Sequence, residues 1–332
     1  MSARHSNISI FVPHIGCPNQ CSFCNQKHIT GSSSKPNEID VINAVNVAIN
    51  SKNYNPETTE IAFFGGSFTA IDRDYMRLLL NAAYKFVENK AVKGIRISTR
   101  PDAINDEVLS ILKNYGVTSI ELGAQSLNDD VLTANKRGHT VSDVYNASKL
   151  IKKYGFSLGL QMMTGLYCDS DKNAIETAEK IISIKPDSVR IYPTIVLKNT
   201  DLGDLYIKQK YKPQSFDDAV NLSSLLLKMF IDADIKVIRL GLHTIEKDSY
   251  IAGPWHPAFS ELCYSKLYCN LAISLLKEKG DYIIFVNRSS ISKMIGQNRS
   301  NILSLKEKGY NCRVKENNKL KDFEIIAERT DK

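Results

Sequence analysis

No run of the 332 residues approaches the roughly 20 consecutive apolar positions that a membrane-spanning helix needs. The segment from Met1 to Asn7 is polar and leads straight into the strand-like run ISIFV, so the apolar centre of a secretory leader is missing too. These two absences predict a cytoplasmic protein that does not engage a membrane. A secreted disulfide framework is excluded as well: the seven cysteines are odd in number, and three of them crowd within eight residues. Low-complexity tracts are missing, and so is any internal repeat beyond an alternation of short strands and helices. What remains is ordinary globular material, 43% hydrophobic and 24% charged, long for one domain and comfortable for two. The net charge of +7 mildly favours an anionic partner.

Strand-like runs occur at Ile8–Pro13, Glu60–Phe64, Gly94–Thr99, Thr118–Leu122, Phe156–Met162 and Ser188–Pro193. Each is short, apolar and rich in β-branched or aromatic residues. Between them, Glu38–Asn50, Asp72–Asn89, Asp106–Gly116, Val141–Gly155 and Asp171–Ile184 carry helical spacing of apolar residues, two ending on a glycine. Six βα units imply a parallel sheet with right-handed crossovers and a site at the carboxyl ends of its strands. The unusual clusters fall there: the cysteines, then GGSFT, TRPD, GAQS and TGL after successive strands. Six units could make an open doubly wound sheet or a partial barrel, and three spans are predicted: 1–206 for these units, 207–280 as a connecting helical region, and 281–332 as a separate tail.

The stretch GCPNQCSFCNQ places Cys17, Cys21 and Cys24 as C-x3-C-x2-C. Structural zinc normally takes four Cys or His ligands, and His14 and His28 flank the loop, so a Cys3His site is open as an alternative. Buried core cysteines are another. Three thiolates can instead hold three irons of a four-iron cluster and leave one coordination position free for a ligand.

This spacing, with Phe23 before the last cysteine and a strand before the loop, resembles the radical S-adenosylmethionine (SAM) superfamily. The resemblance covers roughly residues 8–206 and implies a [4Fe–4S] cluster on Cys17, Cys21 and Cys24. It also implies S-adenosyl-L-methionine as the partner of the open iron. GGSF resembles the superfamily's Gly-Gly-Glu stretch, which assigns SAM contacts to the backbone of Gly65 and Gly66, with Ser67 in the acidic position. ELGAQSLNDDVLTANKRGHT is similar to the fourth strand and following helix of the coproporphyrinogen-dehydrogenase and Elongator-catalytic-subunit branches, and carries SAM contacts over to Gln125 and Arg137. Gln161 stands where the superfamily places a ribose-binding Asp, and Phe23 acquires a place beside the adenine. Reductive cleavage of SAM to a 5′-deoxyadenosyl radical, fed by a reductant such as ferredoxin or flavodoxin, is the implied activity. The expected fold is α/β: a partial (βα)6 TIM-like radical SAM barrel with a C-terminal α+β, KH-like extension.

The Elongator subunit modifies tRNA and carries an acetyltransferase-like domain; this sequence ends at Lys332 with no room for one, so the same branch with a different reaction is expected. Between residues 281 and 332 there are eleven Lys and Arg against seven Asp and Glu, more than half the net charge. This basic tail reads strand, helix, loop, helix, strand, strand and resembles a KH module whose Gly-x-x-Gly loop is here Gly296, Gln297, Asn298 and Arg299, lacking the second glycine. RNA, specifically tRNA, is the expected substrate. A small metabolite with the tail as a cap is the enzymatic alternative, and an RNA-binding Fe–S or zinc protein the non-enzymatic one. Cys168 after the fifth strand, and His243, Glu246, Trp255 and His256 farther on, are secondary candidates whose ordinary reading is structural.

Overall fold

The computed structural model describes residues 5–12, 17, 20–24, 35–242 and 247–330. Among them, β1 (Ser6–Val12), β2 (Thr59–Gly65), β3 (Gly94–Thr99), β4 (Val117–Gln125), β5 (Ser157–Thr164), β6 (Ser188–Pro193) and β8 (Lys236–Leu240) form one parallel sheet in that spatial order. It is a curled half-barrel whose edges are β1 and β8. The helices α1 (Glu38–Ile49), α2 (Arg73–Glu88), α3 (Asp106–Asn114), α4 (Asp129–Ala134), α5 (Val141–Lys153), α6 (Asp171–Ile184), α7 (Asp201–Ile207) and α8 (Phe216–Asp232) connect the strands. Several start on side-chain caps that satisfy otherwise orphaned amides: Asn37 and Thr140 form capping boxes with Asp40 and Asp143. No helix among the described residues is long and apolar enough to cross a membrane.

Six strands were expected and seven are present. The seventh, β8, comes from the run Ile235–His243 inside the span read as a connection; it pairs with β6 from Ser188↔Lys236 to Ile191↔Leu240. The polar stretch 199–216, which carries no clear helical period, also holds a helix, α7, because Thr200 caps it and Leu202 is fully buried. The strands differ from expectation in one further way. Only one face is apolar: Ile61, Phe63, Ile95, Ile97, Ile120, Leu122, Leu158 and Leu160 pack against the helices. The alternate positions carry buried charge, Glu60, Glu121 and Arg190, with the partly buried Arg96 between them, so the concave face is a polar interior.

The tail follows α9 (Phe259–Leu275). Its sheet has β10 (Gly280–Val286) in the centre, parallel to β11 (Tyr310–Glu316) and antiparallel to β12 (Ile325–Arg329), with α10 (Ile291–Ile295) and α11 (Ser300–Glu307) between the first two. The expected order of elements is thus present. A two-stranded antiparallel pair, β7 (Val196–Leu197) with β9 (Tyr250–Ala252), sits apart from both sheets.

Candidate active site

The cysteine loop is held through Ser22. Its amide donates to the Asn135 carbonyl at 3.1 Å, its hydroxyl donates to Asn135 Oδ1 at 2.8 Å, and its carbonyl accepts from the Leu202 amide of α7 at 2.8 Å. Asn135 is fully buried and donates its own amide to the Val131 and Tyr167 carbonyls. Cys21 and Cys24 flank this anchor, joined by a turn from the Cys24 amide to the Cys21 carbonyl at 3.1 Å. Phe23 is half-buried against Val196, Leu202 and Tyr211.

Two guanidinium groups approach the thiols. Arg137, 7% exposed, donates from Nη1 to Cys21 Sγ at 3.0 Å and from Nη2 to the Gly123 carbonyl at 2.7 Å. Arg100 clamps Asp102 with a two-pronged contact at 2.9 Å and donates to the Arg137 carbonyl at 2.7 Å. Burial and the neighbouring Cys21 push the Cys17 thiol up, outweighing Arg100, the Ser67 amide and Arg137, which favour its thiolate. That amide belongs to the GGSF stretch, whose geometry demands its first glycine: Gly65 has φ 118°, and a Cβ there would lie 2.3 Å from the Val12 carbonyl oxygen. The Ser67 hydroxyl is taken up by Thr99 Oγ1 at 2.8 Å and the Arg100 amide at 3.2 Å, a tie between strand ends.

Gln125 ends β4 with φ 65°, and its Oε1 is buried without a partner among the described residues, as are Arg137 Nε and Arg100 Nη1. A Cβ on Gly123 would lie 2.9 Å from Gln125 Nε2 and 3.4 Å from Arg137 Nη2, so this glycine makes room for both side chains. Gln161 stands opposite Gly123 on β5, and its amide donates to Glu121 at 3.3 Å. Glu121 belongs to a buried chain of charges. Arg96 bridges Glu60 at 2.7 Å and Glu121 at 2.9 Å, and Arg190 Nε lies 2.6 Å from the other Glu121 oxygen as an ion pair. Burial opposes the charge on Glu60, but Arg96 and Thr118 hold its carboxyl below the usual range. This network, Arg100 and His139 were not singled out from the sequence. The network's signal was charge at alternate positions of otherwise apolar strands, whereas Arg100 and His139 lie outside the strands.

The residues suit an iron–sulfur cluster with SAM. Three soft thiol donors sit on one anchored loop, two guanidiniums favour thiolate and carboxylate, and polar atoms of Gln125, Arg137 and Arg100 that have no partner among the described residues are buried nearby. As they stand, no three Cys, His, Asp or Glu side chains among the described residues are gathered closely enough to hold a metal ion. His14, His28, His243 and Glu246 lie outside the described residues. His256 caps a turn, its Nδ1 accepting from the Ala258 amide at 3.0 Å, and Trp255 packs beside Tyr250. Cys168 is exposed in the turn after β5. In the tail, Gln297, Asn298 and Arg299 are exposed between α10 and α11, and no side chain caps α11.

Comparison with known proteins agrees with this geometry. Residues 11–181 match the Radical SAM superfamily and residues 186–268 match the Radical SAM C-terminal domain. A tRNA uridine(34) acetyltransferase of Methanocaldococcus jannaschii is 30% identical over 185 residues, covering 50% of this chain and 34% of that protein. Elongator complex protein 3 of Homo sapiens is 32% identical over 193 residues, covering 52% of this chain and 35% of that one. The chain thus spans about a third of the length of these relatives. Among solved structures, the archaeal Methanocaldococcus infernus Elp3 lacking its N-terminus superposes with a TM-score of 0.64 at 21% identity, covering 79% of this chain and 63% of that one. That match speaks for the fold.

Proposed function

Because the chain belongs to the radical SAM superfamily, whose pattern spans residues 11–181, we propose that this radical SAM enzyme modifies RNA, and tRNA in particular. The superfamily's cofactors are SAM and a [4Fe–4S] cluster. When bound, they supply a one-electron cleavage of SAM that yields an organic radical able to take a hydrogen atom from a substrate. The chain's own residues do the rest. Cys17, Cys21 and Cys24 would hold the cluster. Arg137 offers a fork to the SAM carboxylate. Gln125 has an acceptor with no partner among the described residues, and Gly65 and Gly66 would allow close backbone approach. The observation that carries the cofactor assignment is Arg137: one guanidinium touches Cys21 Sγ, spans to the Gly123 carbonyl, and has no partner for Nε among the described residues.

The RNA assignment is supported by the similarity to the tRNA uridine(34) acetyltransferase of M. jannaschii and by the basic tail with its exposed loop. Acetyl transfer is not carried over, since the match leaves about two thirds of those relatives uncovered. The experiment is anaerobic reconstitution with iron and sulfide, followed by assay of 5′-deoxyadenosine and of tRNA binding. The wild type should show cluster absorbance and cleave SAM under strong reductant. Arg299→Glu should weaken binding to bulk tRNA several-fold and lower the salt slope by about one, with uncoupled SAM cleavage intact. A reconstituted protein without SAM cleavage would sink the enzyme reading. Unchanged tRNA affinity in low salt would sink the RNA reading.

A further inference from the structure

The end of β4 is not a regular strand. In its pairing with β5, Gly123 stands opposite Gln161 and Gln125 opposite Met162, so Ala124 is the extra residue of a bulge. Gln125 then turns with φ 65°, a left-handed value that side-chain-bearing residues rarely adopt. The Ser126 amide reaches back to the Ala124 carbonyl at 2.8 Å, closing a three-residue turn of the strained, positive-φ kind. Strain of this sort persists only where surrounding groups over-determine it.

Two side chains from the loop after α4 supply that restraint. Arg137 takes the Gly123 carbonyl at 2.7 Å, and His139 Nε2 lies 3.2 Å from the Ala124 carbonyl oxygen. A carbonyl only accepts, so the hydrogen sits on Nε2, and Nδ1 carries the lone pair. His139 is 4% exposed and its Nδ1 has no partner among the described residues. The Ala124 carbonyl, out of the β5 ladder, therefore uses one lone pair for its own turn and the other for the imidazole.

We propose that His139 is a positioning residue: its Nε2–H pins the Ala124 carbonyl, locks the bulge, and so holds Gln125 beside Arg137 over Gly123. The inference rests on the reading of Gln125 and Arg137 as cofactor contacts. His139 touches none of the reacting groups; it acts through the backbone that presents Gln125. Gln is the conservative replacement, because its amide N–H can reach where Nε2–H does, whereas Leu fills the volume and donates nothing.

The test uses the full, reconstituted chain and two readouts: SAM dissociation constant by equilibrium dialysis, and amide hydrogen exchange over residues 123–127. His139→Leu should weaken SAM binding about tenfold and speed exchange at Ser126 by a similar factor, with cluster absorbance unchanged. His139→Gln should restore both to within about threefold of wild type. Should His139→Leu fail to fold, His139→Met takes its place with the same expectation. Wild-type behaviour of the apolar variant overturns the proposal. So does faster exchange with unaltered SAM affinity, and so does His139→Gln as impaired as His139→Leu, which would make the ring a packing element. If the wild type binds no SAM while the exchange contrast stands, the cofactor reading fails and His139 remains the lock of the bulge.

Discussion

Glu121 is 1% exposed and shares its two oxygens between Arg96 and Arg190, with the Gln161 amide alongside. Removing it would leave two guanidiniums in a water-poor interior without their shared counter-ion. Glu121→Ala is therefore expected to cost about 3–5 kcal/mol, the usual penalty for orphaning a buried ion-pair partner. Glu121→Gln, which keeps an acceptor, should cost less. Urea unfolding midpoints measure both, and a loss below about 1 kcal/mol for the alanine variant would show that the arginines find other partners. At this scale the sequence was legible where chemistry is local. Cys17, Cys21 and Cys24 share a loop, and Gln125 and Arg137 lie on one strand-to-helix segment. The contact from Arg137 to Cys21 spans 116 positions and needs the fold to bring it about. Glu60, Arg96, Glu121 and Arg190 were visible as letters, but an isolated charge in a strand names no partner until register is known.

Gly296 decides the connection between α10 and α11. Its φ of 80° and ψ of 159° lie in a region essentially reserved for glycine. A Cβ there would also meet Ser300 Oγ at 2.5 Å and the Asn301 amide nitrogen at 2.9 Å. Asn301 is the tie from this helix pair to α9, donating to the Ser265 carbonyl at 2.8 Å and the Met294 carbonyl at 3.1 Å. Gly296→Ala is thus expected to lose about 1–3 kcal/mol, while Gln297→Ala in the exposed loop should stay within about 0.5 kcal/mol. Thermal melts of the two variants decide it; equal melting temperatures would mean that the turn yields freely. Element types were largely legible, since the 3.6 and 2.0 periods are local. α7 and β8 were not. A seven-residue helix gives too few turns for a period, and β8 shows its role only through β6, to which it pairs across some 48 positions.

On the scale of the molecule, α9 belongs to two cores at once. Phe259, Cys263 and Leu267 pack into the half-barrel core; Tyr268, Cys269 and Ala272 pack with Ile284, Val286, Met294 and Leu305 of the tail. The sequence pattern changes near residue 280, yet the helix before that point is shared between the two cores, and only Leu276 and the short exposed stretch 277–279 separate it from β10. Tyr268 is the joint: it is fully buried, its hydroxyl shares a hydrogen with Ser290 Oγ at 2.6 Å, and it accepts from the Phe323 amide at 2.9 Å. Tyr268→Ala should cost about 3–5 kcal/mol, through the cavity and the two lost partners. The chain's one tryptophan, Trp255, sits on the barrel side beside Tyr250 and reports from there. If α9 couples the two units, tryptophan fluorescence and far-ultraviolet circular dichroism should record one transition, shifted together in the variant. If the tail melts first while the Trp255 transition keeps its wild-type midpoint, the units are independent. The tail would then be placed on the half-barrel by contact alone, and its loop could swing relative to the cysteine site.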